Sequence, residues 1–111
     1  MASSAAASRT TVVNIRRDNY DIYIGRANPA WRLPESPFAN KFVIGRDGDR
    51  AEVIAKYRAW IATQPHLLAM LEDLRGKRLG CWCKPADCHG DVLVELLEGP
   101  PAPAPVQQAL F

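Results

Sequence analysis

Residues Lys77–Asp91, KRLGCWCKPADCHGD, constrain this chain more than any other stretch. All three cysteines (Cys81, Cys83, Cys88) and one of the two histidines (His89) fall within nine positions there. The flanks read as a strand, a loop and the start of a helix, the joint at which α/β proteins hold anions, metals and nucleophiles. The run points to a ligand site and names no reaction.

A chain of 111 residues supports one domain, large enough to bury a core without staples. Three cysteines are an odd number, and they lie too close together to tie distant segments. That argues against a secreted disulfide framework and for a reducing, cytoplasmic setting. The opening MASSAAASRTT has no apolar core flanked by positive charge, so it is not read as a signal peptide, and no run approaches a membrane span. The net charge is only +2, but it is unevenly spread. Arg9 to Arg46 holds seven basic and three acidic residues, against seven and nine from Asp47 onward. The front half suits a phosphate-bearing ligand, while the total is too small for a grip on duplex DNA.

The chain reads as a disordered segment (1–10), a folded domain (11–98), a proline-alanine linker (99–106) and a terminal peptide (107–111). Strands are expected at Thr11–Ile15, Asp21–Ile24 and Arg78–Cys83, with a short one at Phe42–Ile44. Gly25–Lys41, with three prolines and two asparagines, is loop. Asp49 and Glu52 have capping-box spacing, and Val53, Ile54, Tyr57, Trp60 and Ile61 follow with helical periodicity. Pro65 opens a second helix that buries Leu67, Leu68, Leu71 and Leu74 and ends at Gly76. A third runs from about His89 to Glu98 over Val92, Leu93, Leu96 and Leu97. This order predicts a small single-domain, three-layer α/β fold with a short, partly parallel sheet and three helices.

Three readings of the cysteine-histidine cluster stay open. Cys81, Cys83, Cys88 and His89 match the count of a structural zinc site, though two adjacent residues seldom aim at one ion. Alternatively, the helix start lowers the Cys88 pKa. Cys88 is then a nucleophile with His89 as base, or the amides of Gly90 and Asp91 cradle a phosphate or oxyanion. The third reading is plain core packing, since cysteine is among the most buried residue types.

YIGR (Tyr23–Arg26), SPFANK (Ser36–Lys41), Tyr57-Arg58-Ala59-Trp60 and LRGKRLGCWCKPADCHGDVL (Leu74–Leu93) occur in that order. Together they resemble a small bacterial and bacteriophage family catalogued as domain of unknown function number 4326. The resemblance covers about Val12–Leu97 and implies a compact, often phage-encoded domain with no established activity. Within its pattern Tyr23, Gly25, Arg26, Asn40 and Lys41 lie in loops. Beside Cys88–Asp91 they would form a polar pocket for a nucleotide-like or phosphate-containing ligand. Trp31 either stacks on a base or covers a core edge.

The last five residues, QQALF, resemble the peptide by which polymerases and repair proteins dock on the bacterial sliding clamp. Gln107 would supply amide hydrogen bonds, and Leu110 and Phe111 would fill an apolar cleft. The expected protein is thus a replication- or repair-associated accessory domain, tethered to the clamp and binding a nucleotide-like ligand. Two alternatives stand beside it: a phage interaction protein that occupies the host clamp to block or redirect replication, and a small zinc-stabilised binding module.

Overall fold

The computed structural model describes residues 9–99; the N-terminal segment before Arg9, the linker beyond Gly99 and the clamp-like peptide lie outside the described residues. Three strands, β1 (Thr11–Asn14), β2 (Ile22–Tyr23) and β3 (Arg78–Cys81), form one sheet in the order β1-β3-β2. Three helices accompany it: α1 (Arg50–Ile61), α2 (Pro65–Met70) and α3 (Gly90–Glu98). The expected small α/β class is what the structure shows, and both strand pairings are parallel.

The last strand thus lies between the first two. Val12 and Ile22 both pair with Leu79, so these three share a face, and they pack into the main hydrophobic cluster with Tyr57, Ile61, Val92 and Leu93. To reach β2, residues 15–21 must cross the other face of β3. Asn14 starts the turn: its carbonyl accepts from Arg17 and Asp18, and its side-chain oxygen accepts from Arg16 N. The crossing runs back from Ile15 N, bonded to Cys81 O, to Asp21 N, bonded to Arg78 O. It passes directly over Gly80. A Cβ there would stand 2.5 Å from Ile15 Cγ2 and 2.8 Å from Tyr20 Cγ. Glycine is what allows this contact between backbone and segment.

The capping box of α1 forms as expected. Asp49 Oδ1 accepts from Glu52 N at 2.8 Å, and Glu52 Oε1 accepts from Asp49 N at 2.7 Å. Val53, Tyr57 and Ile61 are buried, with Ile54 and Trp60 packed at the margin. The second predicted helix divides after Met70, and Leu71–Leu74 form a 3₁₀ turn. Leu71 and Leu74 are both buried, and a three-residue period puts them on one line. In α3 Val92, Leu93 and Leu97 are buried, but Leu96, expected in the core, is exposed.

The expected strand at Phe42–Ile44 is absent. Side chains take the backbone groups that a ladder needs: Phe42 N donates to Asn40 Oδ1, Val43 N to Asp47 Oδ2, and Phe42 O accepts from Arg26 Nη2. Strand β3 likewise stops at Cys81, two residues early. At the other end of the domain, Thr10 is buried, and its N–H and hydroxyl both donate to Glu98 Oε2. No helix among the described residues is long and apolar enough to cross a membrane.

Candidate functional site

The three cysteines converge where β3 ends and α3 begins. Their sulfurs all lie within 4.8 Å of one another, and the Cys88 thiol is 3.0 Å from Cys81 Sγ. Cys81 and Cys88 are buried, whereas Cys83 is half-buried. Hydrogen bonds from Cys81 and then Cys88 hold the Cys83 thiol far below its ordinary range, with Arg50 adding to the effect. Cys88 is pushed the other way by its bonds to Cys81 and Cys83 and by burial, and Cys81 is raised first by its bond to Cys83. The helix start does act on Cys88, since Gly90 N–H donates to its sulfur at 3.3 Å. That single bond is outweighed. The lowered thiol pKa expected at Cys88 is found instead at Cys83.

His89 lies beside the cluster, with Nδ1 3.5 Å from Cys88 Sγ and Nε2 2.8 Å from Ile24 O. A carbonyl only accepts, so Nε2 carries the proton. Burial lowers the His89 pKa and keeps the ring neutral, which leaves the Nδ1 lone pair toward Cys88. Tyr57 packs edge-on against the imidazole at 5.0 Å and donates its hydroxyl to Phe38 O. Among the described residues the convergent metal-capable set is the three sulfurs, and His89 is not in it. The expected four-ligand group is thereby reduced to three.

The expected anion cradle at the helix start is occupied from within. Gly90 N is bonded to Cys88 Sγ and Asp91 N to Cys88 O. Asp91 Oδ2 accepts from Cys88 N, while its Oδ1 pairs with Lys84 at 2.7 Å. Gly90 is flush with the core, where a Cβ would meet Ile24 Cδ1 at 2.8 Å. Gly90 and Asp91 shape the loop that carries Cys88, and neither lines the cleft described next.

A cleft of about 320 Å³ opens in front of the cysteines. Tyr23, Gly25, Arg26, Asn40, Cys88 and His89 line it, as the sequence reading expected of a shared pocket. Several are there as builders. Arg26 spends Nε on Asn40 O and Nη2 on Phe42 O, both at 2.9 Å, which bends the Asn40–Ile44 loop into a wall. Asn40 is buried and donates to Val53 O, tying that wall to α1. Tyr23 donates to Arg26 O and accepts from Trp82 Nε1, and Gly25 leaves room for the phenol. Lys41 does not line the cleft; its ammonium lies over the rings of Trp60 and Phe42.

Sequence reasoning missed Arg50, Trp82 and the apolar wall of Phe42, Val43, Ile44 and Ile54. Arg50 is the first residue of α1, and its Nη1 donates to Asp87 O at 2.9 Å, bridging the helix to the cysteine loop. Its place directly after the Asp49 cap was the available signal. Trp82, between Cys81 and Cys83, lies just beyond the end of β3 at Cys81, and it forms one side of the cleft.

The chain is 36% identical over 88 residues to an uncharacterised protein, R718, of Acanthamoeba polyphaga mimivirus, covering 70% of this chain and 67% of that one. It is 31% identical over 86 residues to an uncharacterised 12.4 kDa protein from the nrdA-td intergenic region of Enterobacteria phage T4, covering 78% and 75%. No solved structure matches it. Residues 8–99 match the family described as a domain of unknown function, DUF4326, spanning the sheet, the helices and the whole cysteine cleft, and the chain belongs to that family.

Proposed function

We propose that this protein is a replication- or repair-associated accessory domain that binds a nucleotide-like or phosphate-containing ligand in the cysteine cleft. The C-terminal Gln107, Leu110 and Phe111 dock it on the bacterial sliding clamp. The observation that carries the ligand reading is the composition of one cleft. Arg26 and Arg50 bring positive charge, Phe42 and Trp82 offer aromatic walls, and the sulfur-imidazole cluster forms a polar floor. Such a pairing of cation and flat apolar surface suits an anionic ligand with an aromatic part. The clamp reading rests on the terminal peptide's sequence. Any covalent step at this floor starts from Cys83 rather than Cys88, because Cys83 is the more accessible sulfur and the one whose pKa is lowered.

Thermal melts across nucleoside mono-, di- and triphosphates test the ligand reading. A ligand held at 100 times its Kd should add about 2.7 kcal/mol of stability. Arg50→Ala should shrink the shift, and a panel without any shift overturns the reading. Removing residues 106–111 should abolish co-elution with the clamp; retained co-elution overturns that part, and a clamp-bound protein with no nucleotide response supports the interaction-protein alternative.

A second reading is favoured by the sulfur cluster: Cys81, Cys83 and Cys88 hold a zinc ion. Zinc–sulfur bonds of about 2.3 Å in tetrahedral array need sulfurs roughly 3.8 Å apart. The Cys81–Cys88 pair, at 3.0 Å, would spread on binding. A fourth position would then face the cleft or be closed by a rotated His89. Metal analysis of purified protein decides it, and less than one zinc per chain rejects it.

A further inference from the structure

Beside the cleft lies a surface that the ligand reading does not use. Trp31 is 51% exposed, on a short loop closed by paired bonds between Asn28 and Leu33. Asn28 Oδ1 also accepts from Trp31 N, and the following Arg32 adopts a left-handed backbone with φ 57°. A non-glycine residue enters that region at a cost, so this loop is held in shape against local preference. What it displays is an indole. The Trp31 ring meets Trp82 at 5.1 Å and 84°, and the Arg16 guanidinium stands 5.1 Å over the Trp82 ring. Trp82 is itself fixed by the bond from its Nε1 to Tyr23. Arg17 reaches Lys84 O, which brings a second guanidinium toward the same loop. Arg16, Arg17 and Arg32 are all exposed, and none forms an ion pair among the described residues.

We propose that this face binds single-stranded nucleic acid, with a base stacked on Trp31 and phosphates beside Arg16, Arg17 and Arg32. An immobilised aromatic face next to unpaired cations is the combination that sequence-tolerant single-strand binders use. The duplex is disfavoured because its bases already stack on each other and the net charge is only +2. The surface stands apart from the cleft ligand. Trp31 and Arg16 do not line the cleft, and Trp82 is the wall that the two share.

The test uses the full chain and fluorescein-labelled oligothymidylate, read by anisotropy between 50 and 200 mM salt. Three neutralised phosphates predict a slope of about −2 for log affinity against log salt. Trp31→Ala should weaken binding by about tenfold or more, Trp31→Phe should restore most of it, and Arg16→Ala should flatten the slope by about 0.7. Nucleotide melting shifts should persist in Trp31→Ala, so failure of the cleft reading and failure of this one are told apart. The proposal is overturned by absent binding at 50 mM salt, by duplex of equal length binding as tightly, or by unchanged affinity in Trp31→Ala.

Discussion

Replacing Gly80 with alanine tests the packing on which the site depends. The backbone at Gly80 is not among the glycines with positive φ, so alanine meets no conformational barrier there. What it meets is the crossing segment. Its methyl group would sit 2.5 Å from Ile15 Cγ2 and 2.8 and 2.9 Å from ring atoms of Tyr20, about 1 Å inside normal carbon contact. Ile15 is buried and cannot swing into solvent. Such overpacking costs about 1–3 kcal/mol, and a glycine-to-alanine change returns at most about 1 kcal/mol through the unfolded chain. A net loss of about 1–2 kcal/mol corresponds to roughly 4–16 °C in Tm for a domain of this size. Urea unfolding at constant m measures it directly. The double variant Ile15→Ala/Gly80→Ala sharpens the test: with the Ile15 methyls gone, Gly80→Ala should cost at least about 1 kcal/mol less than it does in the native background. Strict additivity, or a Gly80→Ala protein as stable as the native one, would refute the crossing.

Arg26→Lys should destabilise the domain by about 1–2 kcal/mol and speed amide exchange across Asn40–Ile44, because one ammonium cannot replace a planar fork on two carbonyls; unchanged exchange there would count against the wall. Limited alkylation followed by peptide mass spectrometry should modify Cys83 well before Cys81 or Cys88, because its thiol is the more exposed and the one whose pKa is lowered, and early labelling of Cys88 would contradict that order. Asp21 is bonded first through its side chain to Arg78, which lowers its pKa from 3.8 to about 2. Its folded pKa is depressed, so the stability it contributes is whole above pH 4 and fades as pH falls toward 2. Asp21→Asn should remove that portion of the acid slope, and an unaltered acid profile would exclude the pair as a contributor.

Helix α1 was readable because its cap and its stripe act locally: Asp49 reaches Glu52, and Val53, Tyr57 and Ile61 repeat every four residues. The meeting of Cys81, Cys83 and Cys88 was readable for a similar reason, since eight residues span all of them. What could not be read was competition for backbone groups. Phe42–Ile44 has a strand's composition, but the side chains of Arg26, Asn40 and Asp47 claim its donors and acceptors, and Arg26 lies well back along the chain. The sign of the Cys88 shift escaped for another reason. A helix end acts through sequence neighbours, whereas the bonds to Cys81 and Cys83 and the burial depend on how the loop folds back. Arg50 entered the site only through the tertiary placement of a helix start.

The strand order β1-β3-β2 has a consequence for synthesis on the ribosome. The first two strands have each other for neighbours in the chain but share no ladder, and each waits for a partner that emerges more than fifty residues later. Asn14 waits longer still, for the carbonyls of Trp82 and Lys84. A nascent chain arrested before Arg78 therefore has no sheet at all, and the cysteine-bearing strand is the piece whose arrival closes the fold. Premature release would yield fragments open to proteases, so that finished domain and assembled cleft come into being together.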